Sequence, residues 1–109
     1  MTDQIRESIK DHIDTTNTNK ILITHGTDTM VETAEFLLRK YNDKPDKAIL
    51  LTGAMFPLLF HPSDAGFNLG YALAKLESLE PNIYICMNTK IFTAGTVIKN
   101  KEQGLFEKK

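Results

Sequence analysis

The chain has 109 residues, with 13 basic and 14 acidic side chains and a formal net charge of −1. That length suits one domain, not two, and a domain of this size buries roughly two-thirds of the surface its extended chain would expose. With 41% hydrophobic and 25% charged residues, the composition is globular, which argues against wholesale disorder, and it carries no overall positive field for nucleic acid or an anionic membrane.

Residues 3 to 14 place Ile5, Ile9 and Ile13 at four-residue spacing, one apolar stripe of a first helix. This polar, amphipathic start does not read as a secretory signal, and no stretch is long and apolar enough to cross a membrane. A cytoplasmic location is therefore expected. DTTNTN, residues 14 to 19, reads as a loop, because such side chains compete for nearby backbone hydrogen bonds. KILITH, residues 20 to 25, is apolar without alternation, as expected of a strand covered on both faces. A second helix is expected from about Asp28 to Tyr41, with Met30, Ala34, Leu37, Leu38 and Tyr41 on one face. Asp28 and Glu32 suit its positive end, and Arg39 and Lys40 its negative end. NDKPDK then breaks it.

AILLT, residues 48 to 52, is a second buried strand. GAMFPLLFHP reads as a loop, because Gly53, Pro57 and Pro62 interrupt it, and Ser63 is the expected N-cap of the next helix. That helix runs to about Glu77 and is expected to bury Leu69, Leu73 and Leu76. Gly66 and Gly70 weaken it and point to close packing against a neighbour. NIYICM, residues 82 to 87, is a third strand. Cys86, the only cysteine, reads there as a small buried hydrophobe. One cysteine excludes an internal disulfide and cannot build a zinc site by itself. KIFTAGTVIK is expected to form a short hairpin or a loop folded back near Ala94-Gly95. KNKEQGLFEKK, the one basic stretch, reads as a solvated tail.

Helix and strand alternate, which implies an α/β fold: a three-layer parallel sheet with helical crossovers, of Rossmann or flavodoxin-like type. Such sheets bind ligands beyond the carboxyl ends of their strands. The three strands end in THGTDT, TGAM and MNTK, all polar or glycine-containing. Thr27 and Asp28 lie where a helix begins. Free N–H groups there suit a carboxylate, and Asp28 suits an ammonium, so together they describe a site for an α-amino acid. Thr and Asp are also leading N-cap residues, and spacing alone favours that plainer reading. His25 and Thr29 are taken as structural. His12 and His61 have no partners at metal-ligand spacing, so no metal site is expected. A threonine hydroxyl needs an adjacent base to act as a nucleophile. Lys99 is a candidate, although spacing does not bring it to Thr27.

HGTDTMVETAEFL, ILLTGAM, SDAGFNL and MNTKIFTAGTVIKN, in this order, resemble the bacterial-type L-asparaginases over essentially the whole chain. The resemblance implies hydrolysis of the side-chain amide of asparagine, sometimes glutamine, to the acid and ammonia, without a cofactor. It places Thr27 and Lys99 in the catalytic apparatus and Asp28 on the substrate's amino group. It further implies a preceding strand, a TGGTI-like motif whose threonine is the primary nucleophile, a mobile loop and a serine-containing binding segment. These 109 residues contain none of them, nor the family's C-terminal domain. Phe56 stands where arginine is common, and Ala65 departs from the usual SDG. The chain then reads as a single domain over residues 1–109, the middle of an asparaginase N-terminal domain. Losing one member of a catalytic unit costs about 10⁴-fold or more. Three readings follow: an amidohydrolase, active alone or completed by a further segment or chain, a module that binds amino acids without turnover, and an inactive remnant. Uncovered strand edges pair with other chains, so self-association or a complementing chain is expected.

Overall fold

A computed structural model describes residues 1–54 and 64–109. The expectations for Phe56, Pro57, His61, Pro62 and Ser63 lie outside the described residues. The elements are α1 (Asp3–Thr15), β1 (Lys20–Thr24), α2 (Met30–Lys40), β2 (Ala48–Thr52), α3 (Ala65–Leu76), β3 (Asn82–Met87), β4 (Lys90–Thr93), β5 (Val97–Asn100) and β6 (Leu105–Lys108).

The fold is α/β. β1, β2 and β3 run parallel in that order, and β4 adds an antiparallel fourth strand beside β3. Side chains alternate across the sheet because a strand has period two. Ile49, Leu51, Ile83, Ile85 and Met87 face a core shared with α2 and Ile13 of α1. Ala48, Leu50, Tyr84 and Cys86 face a second core shared with Ala72 and Leu76 of α3. Helices therefore cover both faces, which is why β2 is buried at every position. Asp43 and Asn42 take positive φ where α2 ends, completing the break read at NDKPDK.

Four expectations need correction. β1 is half-buried and not covered on both sides, because among the described residues no strand pairs with its other edge. In α3, Leu69 and Leu73 are 39% and 54% exposed, while Asn68, Ala72 and Leu76 turn to the sheet. The helix is rotated because Asn68 finds polar partners at the strand ends, so a hydropathy pattern alone picks the wrong face. Gly66 and Gly70 have open space, not a neighbour, where a Cβ would point.

The fourth correction concerns the C-terminal third. KIFT is β4, turned back from β3 through Asn88 and Thr89, both at positive φ. Such a two-residue turn matches the twist of paired strands. After Gly95, at φ +87°, the chain leaves this sheet, and β5 pairs antiparallel with β6 as a separate ribbon. The stretch read as a solvated tail thus contains a strand. Val97 and Phe106 are 0% and 4% exposed and anchor the ribbon in the α2-side core.

Candidate active site

The carboxyl ends of β1 and β2 are tied together at backbone level. His25 N–H donates to the Thr52 carbonyl at 2.9 Å. Gly53 follows, and a Cβ there would stand 2.2 Å from the His25 carbonyl oxygen, so only glycine fits. Thr52 is buried and donates its hydroxyl to the Cys86 carbonyl at 2.7 Å, tying β2 to β3. From α3, Asn68 donates to the Gly53 carbonyl at 2.9 Å and to Asp64 at 3.0 Å, and it accepts from Asn88 N–H at 3.0 Å. One buried carboxamide therefore fixes the ends of two strands. Neither Asn68 nor Gly53 was singled out from sequence as a site residue. The available signal was an asparagine in register with Ala72 and Leu76, one helical turn apart.

Thr27 and Asp28 sit between β1 and α2. The helix starts at Met30 with Thr29 in the N-cap position, where it makes no side-chain cap bond. The capping reading of Thr27 and Asp28 therefore does not hold, because Thr29 occupies the N-cap position. Their side chains turn instead to Lys99 of β5. Lys99 Nζ donates to Thr27 Oγ1 at 3.0 Å and to Asp28 Oδ1 at 2.9 Å. The Lys99 side chain is 11% exposed and that of Asp28 is 89% exposed, so the ion pair bridges protein and water. The hydrogen bond from Lys99, with its charge, holds the Asp28 carboxyl below the usual carboxylate range. Lys99 is placed by its strand: Val97, two residues before it, is buried on the same side, and Phe106 pairs with Lys99 in register.

His25 is pinned at both ring nitrogens. Nδ1 lies 2.6 Å from the Gly26 carbonyl, and Nε2 lies 2.9 Å from Thr33 Oγ1. His12 sits on α1 with Nδ1 2.9 Å from the Ser8 carbonyl. Among the described residues no group of three His, Cys, Asp or Glu side chains could hold a metal ion. Cys86 is buried, and desolvation pushes its thiol up to about 11.

Two depressions flank the strand ends. One of about 490 Å³ lies on the α3 side, lined by His25, Gly26, Thr52, Gly53 and Leu69 among others. A smaller one of about 190 Å³ carries Asp28, Lys99 and Lys101. A larger groove of about 660 Å³ runs along the open edge of β1, between Ile21 and Ile23 and the α1 stripe Ile5, Ile9, Ile13. Among the described residues no helix is long and apolar enough to cross a membrane.

Residues 1–106 match the family model for the asparaginase N-terminal domain. A glutaminase-asparaginase of Acinetobacter glutaminasificans is 38% identical over 99 residues, covering 87% of this chain and 29% of that protein. The thermostable L-asparaginase from Thermococcus kodakarensis superposes with a TM-score of 0.77 at 32% identity, over 96% of this chain and 32% of that one. A structure described as "Probable Cytoplasmic L-asparaginase" from Campylobacter jejuni gives a TM-score of 0.70 at 31% identity, over 88% and 31%. The chain thus spans less than a third of the length of each of these relatives.

Proposed function

This chain belongs to the asparaginase family, and we propose that it supplies one half of an amidohydrolase site for L-asparagine or L-glutamine. The carrying observation is the Lys99 ammonium, held 3.0 Å from the Thr27 hydroxyl and 2.9 Å from Asp28 across 71 to 72 residues of sequence. In this reading Thr27 is a catalytic hydroxyl, Lys99 its base and Asp28 the anchor for the substrate's α-ammonium.

The geometry carries a sequence of events. Lys99 acts as a base only after giving up its own proton to water, and Asp28 pairs with its charged form at 2.9 Å. A substrate ammonium bound to the exposed side of Asp28 draws on the same charge. Neutral Lys99 then takes a proton from Thr27 Oγ1 as that oxygen takes one from a water molecule. The hydroxide so formed adds to the amide carbon, the C–N bond breaks, and nitrogen leaves as ammonia with the proton returned from Lys99.

The other half of the site comes from a further segment or a complementing chain, in a single domain that these residues only partly fill. The open edge of β1 supports this. The groove along it is lined by Ile5, Ile9, Ile13, Ile21 and Ile23, while Leu69 and Leu73 stand exposed on the α3 face. A strand laid beside β1 would satisfy its free backbone groups and cover apolar surface. Alone, the chain self-associates, and a stable monomer at high micromolar concentration in light scattering would overturn that statement. We place the protein in the cytoplasm, on its likeness to the Campylobacter structure described as "Probable Cytoplasmic"; recovery in a periplasmic fraction would overturn this.

The test is ammonia release from L-asparagine by the purified chain, with and without a TGGTI-containing segment supplied in trans. Release is expected only with the added segment, and is expected to vanish in Thr27→Ala. Release by the chain alone, abolished in Thr27→Ala, would show that no second half is needed. Calorimetric binding of L-aspartate without release in any mixture would favour a binding module instead.

A further inference from the structure

We propose that Arg6 and Thr33 are positioning residues for the loop bearing Thr27 and Asp28, acting by fixing His25 as its Nδ1–H tautomer. The inference deepens the amidohydrolase reading, on which the importance of that loop rests.

The argument follows from donor and acceptor inventories. Arg6 Nε donates to Thr33 Oγ1 at 2.8 Å, and arginine has no acceptor. Thr33 is completely buried in α2. Its hydroxyl has one hydrogen and two lone pairs, and Arg6 takes one lone pair. His25 Nε2 lies 2.9 Å from the same oxygen. His25 Nδ1 lies 2.6 Å from the Gly26 carbonyl, which can only accept. Nδ1 therefore carries the hydrogen. In the neutral ring Nε2 is then bare, and the Thr33 hydroxyl donates to it. The chain of donors runs in one direction, from Arg6 through Thr33 and His25 to the Gly26 carbonyl.

Each link joins a different element. Arg6 is on α1, Thr33 on α2, His25 at the end of β1 and Gly26 in the loop before Thr27. Arg6 is itself steadied by Asp3 at 2.8 Å, with its side chain 11% exposed. His25 is fixed by its backbone bond to Thr52. The loop is thus held at Gly26 on one side and by Lys99 on the other, which leaves Thr27 little freedom to turn from Lys99. Neither Arg6 nor Thr33 touches Thr27, Asp28 or Lys99 through any of these bonds, so their role is positional.

The test uses the intact chain and needs no substrate. Long-range proton–nitrogen correlation of the His25 ring is expected to show Nδ1 protonated and Nε2 bare. Thr33→Val keeps the shape and removes the hydroxyl. It is expected to give a mixture of tautomers and to raise acetylation of Lys99, read by mass spectrometry against Lys101, by about threefold to tenfold, the factor for one net hydrogen bond. Thr33→Ser is expected to restore both readouts. If Thr33→Val does not fold, Arg6→Met on α1 removes the donor that orients the Thr33 hydroxyl and is expected to give a mixture of tautomers. A dominant Nε2–H tautomer in the wild type overturns the proposal. So does a tautomer that changes in neither variant, or one that changes while Lys99 labelling does not. Because neither readout involves turnover, failure here leaves the amidohydrolase reading standing, and the reverse also holds.

Discussion

Replacing Asn68 by aspartate tests whether a single buried carboxamide holds the strand ends in place. The substitution is nearly isosteric. It turns two donated bonds, 2.9 Å to the Gly53 carbonyl and 3.0 Å to Asp64, into contacts between acceptors. Asn68 is 1% exposed, so the new carboxylate cannot be rescued by water. It escapes by keeping a proton. Holding that proton to pH 7, from an unfolded value near 3.9, costs about 1.4 kcal/mol per unit, or about 4 kcal/mol in all. That is a large part of the roughly 5–15 kcal/mol that stabilises a domain, and it corresponds to a melting temperature lower by about 15 °C or more. The sign with pH follows from linkage. The folded-state pKa is raised, so below about pH 4, where the acid is protonated in both states, only the one donated bond that a single O–H cannot replace is lost, and the penalty grows as pH rises above that value. Urea unfolding of wild type and Asn68→Asp at pH 4 and pH 7 measures the difference. A variant as stable as wild type at pH 7, or a deficit independent of pH, would refute the assignment of Asn68 as the buried donor.

Gly53→Ala drives a methyl group to 2.2 Å from the His25 carbonyl, against backbone that cannot rotate away. A loss of about 1–3 kcal/mol or more is expected in urea unfolding, with weaker amide protection at His25. Lys99→Met should return the Asp28 carboxyl to the usual carboxylate range, seen as a higher midpoint in a carboxyl-carbon NMR titration. In the wild type the depressed Asp28 pKa favours the folded state above the usual carboxylate range, and the contribution is lost as pH falls from that range through the lower folded-state value. The effect should shrink in high salt, because Asp28 is exposed. Cys86, buried and with its thiol pushed up to about 11, should react with a disulfide reagent only through unfolding, so its labelling rate should rise with urea in step with the unfolded fraction. Fast labelling of the native chain would contradict the burial of β3.

What the sequence determined by itself was periodic or locally chemical. The stripe on α2 is written in helical spacing, the burial of β2 in an unbroken apolar run, and the β-α alternation in the order of such segments, and the structure follows them. The blocks from HGTDTM to TVIKN carry the family. What only the tertiary structure decided was long-range or depended on polar satisfaction. Nothing near Lys99 in sequence points to Thr27. A turn at Gly95 and a ribbon anchored by Val97 and Phe106 bring them to 3.0 Å. LFEK reads as tail because a four-residue strand has too little pattern to stand out, yet pairing with β5 fixes it. Leu69 and Leu73 looked like core because hydropathy counts only the residue itself. Asn68 displaced them because its hydrogen bonds to Gly53 and Asn88 exist only once α3 has met two strand ends. A local pattern can specify an element, but a buried polar group chooses its face only when its partners have arrived from elsewhere in the chain.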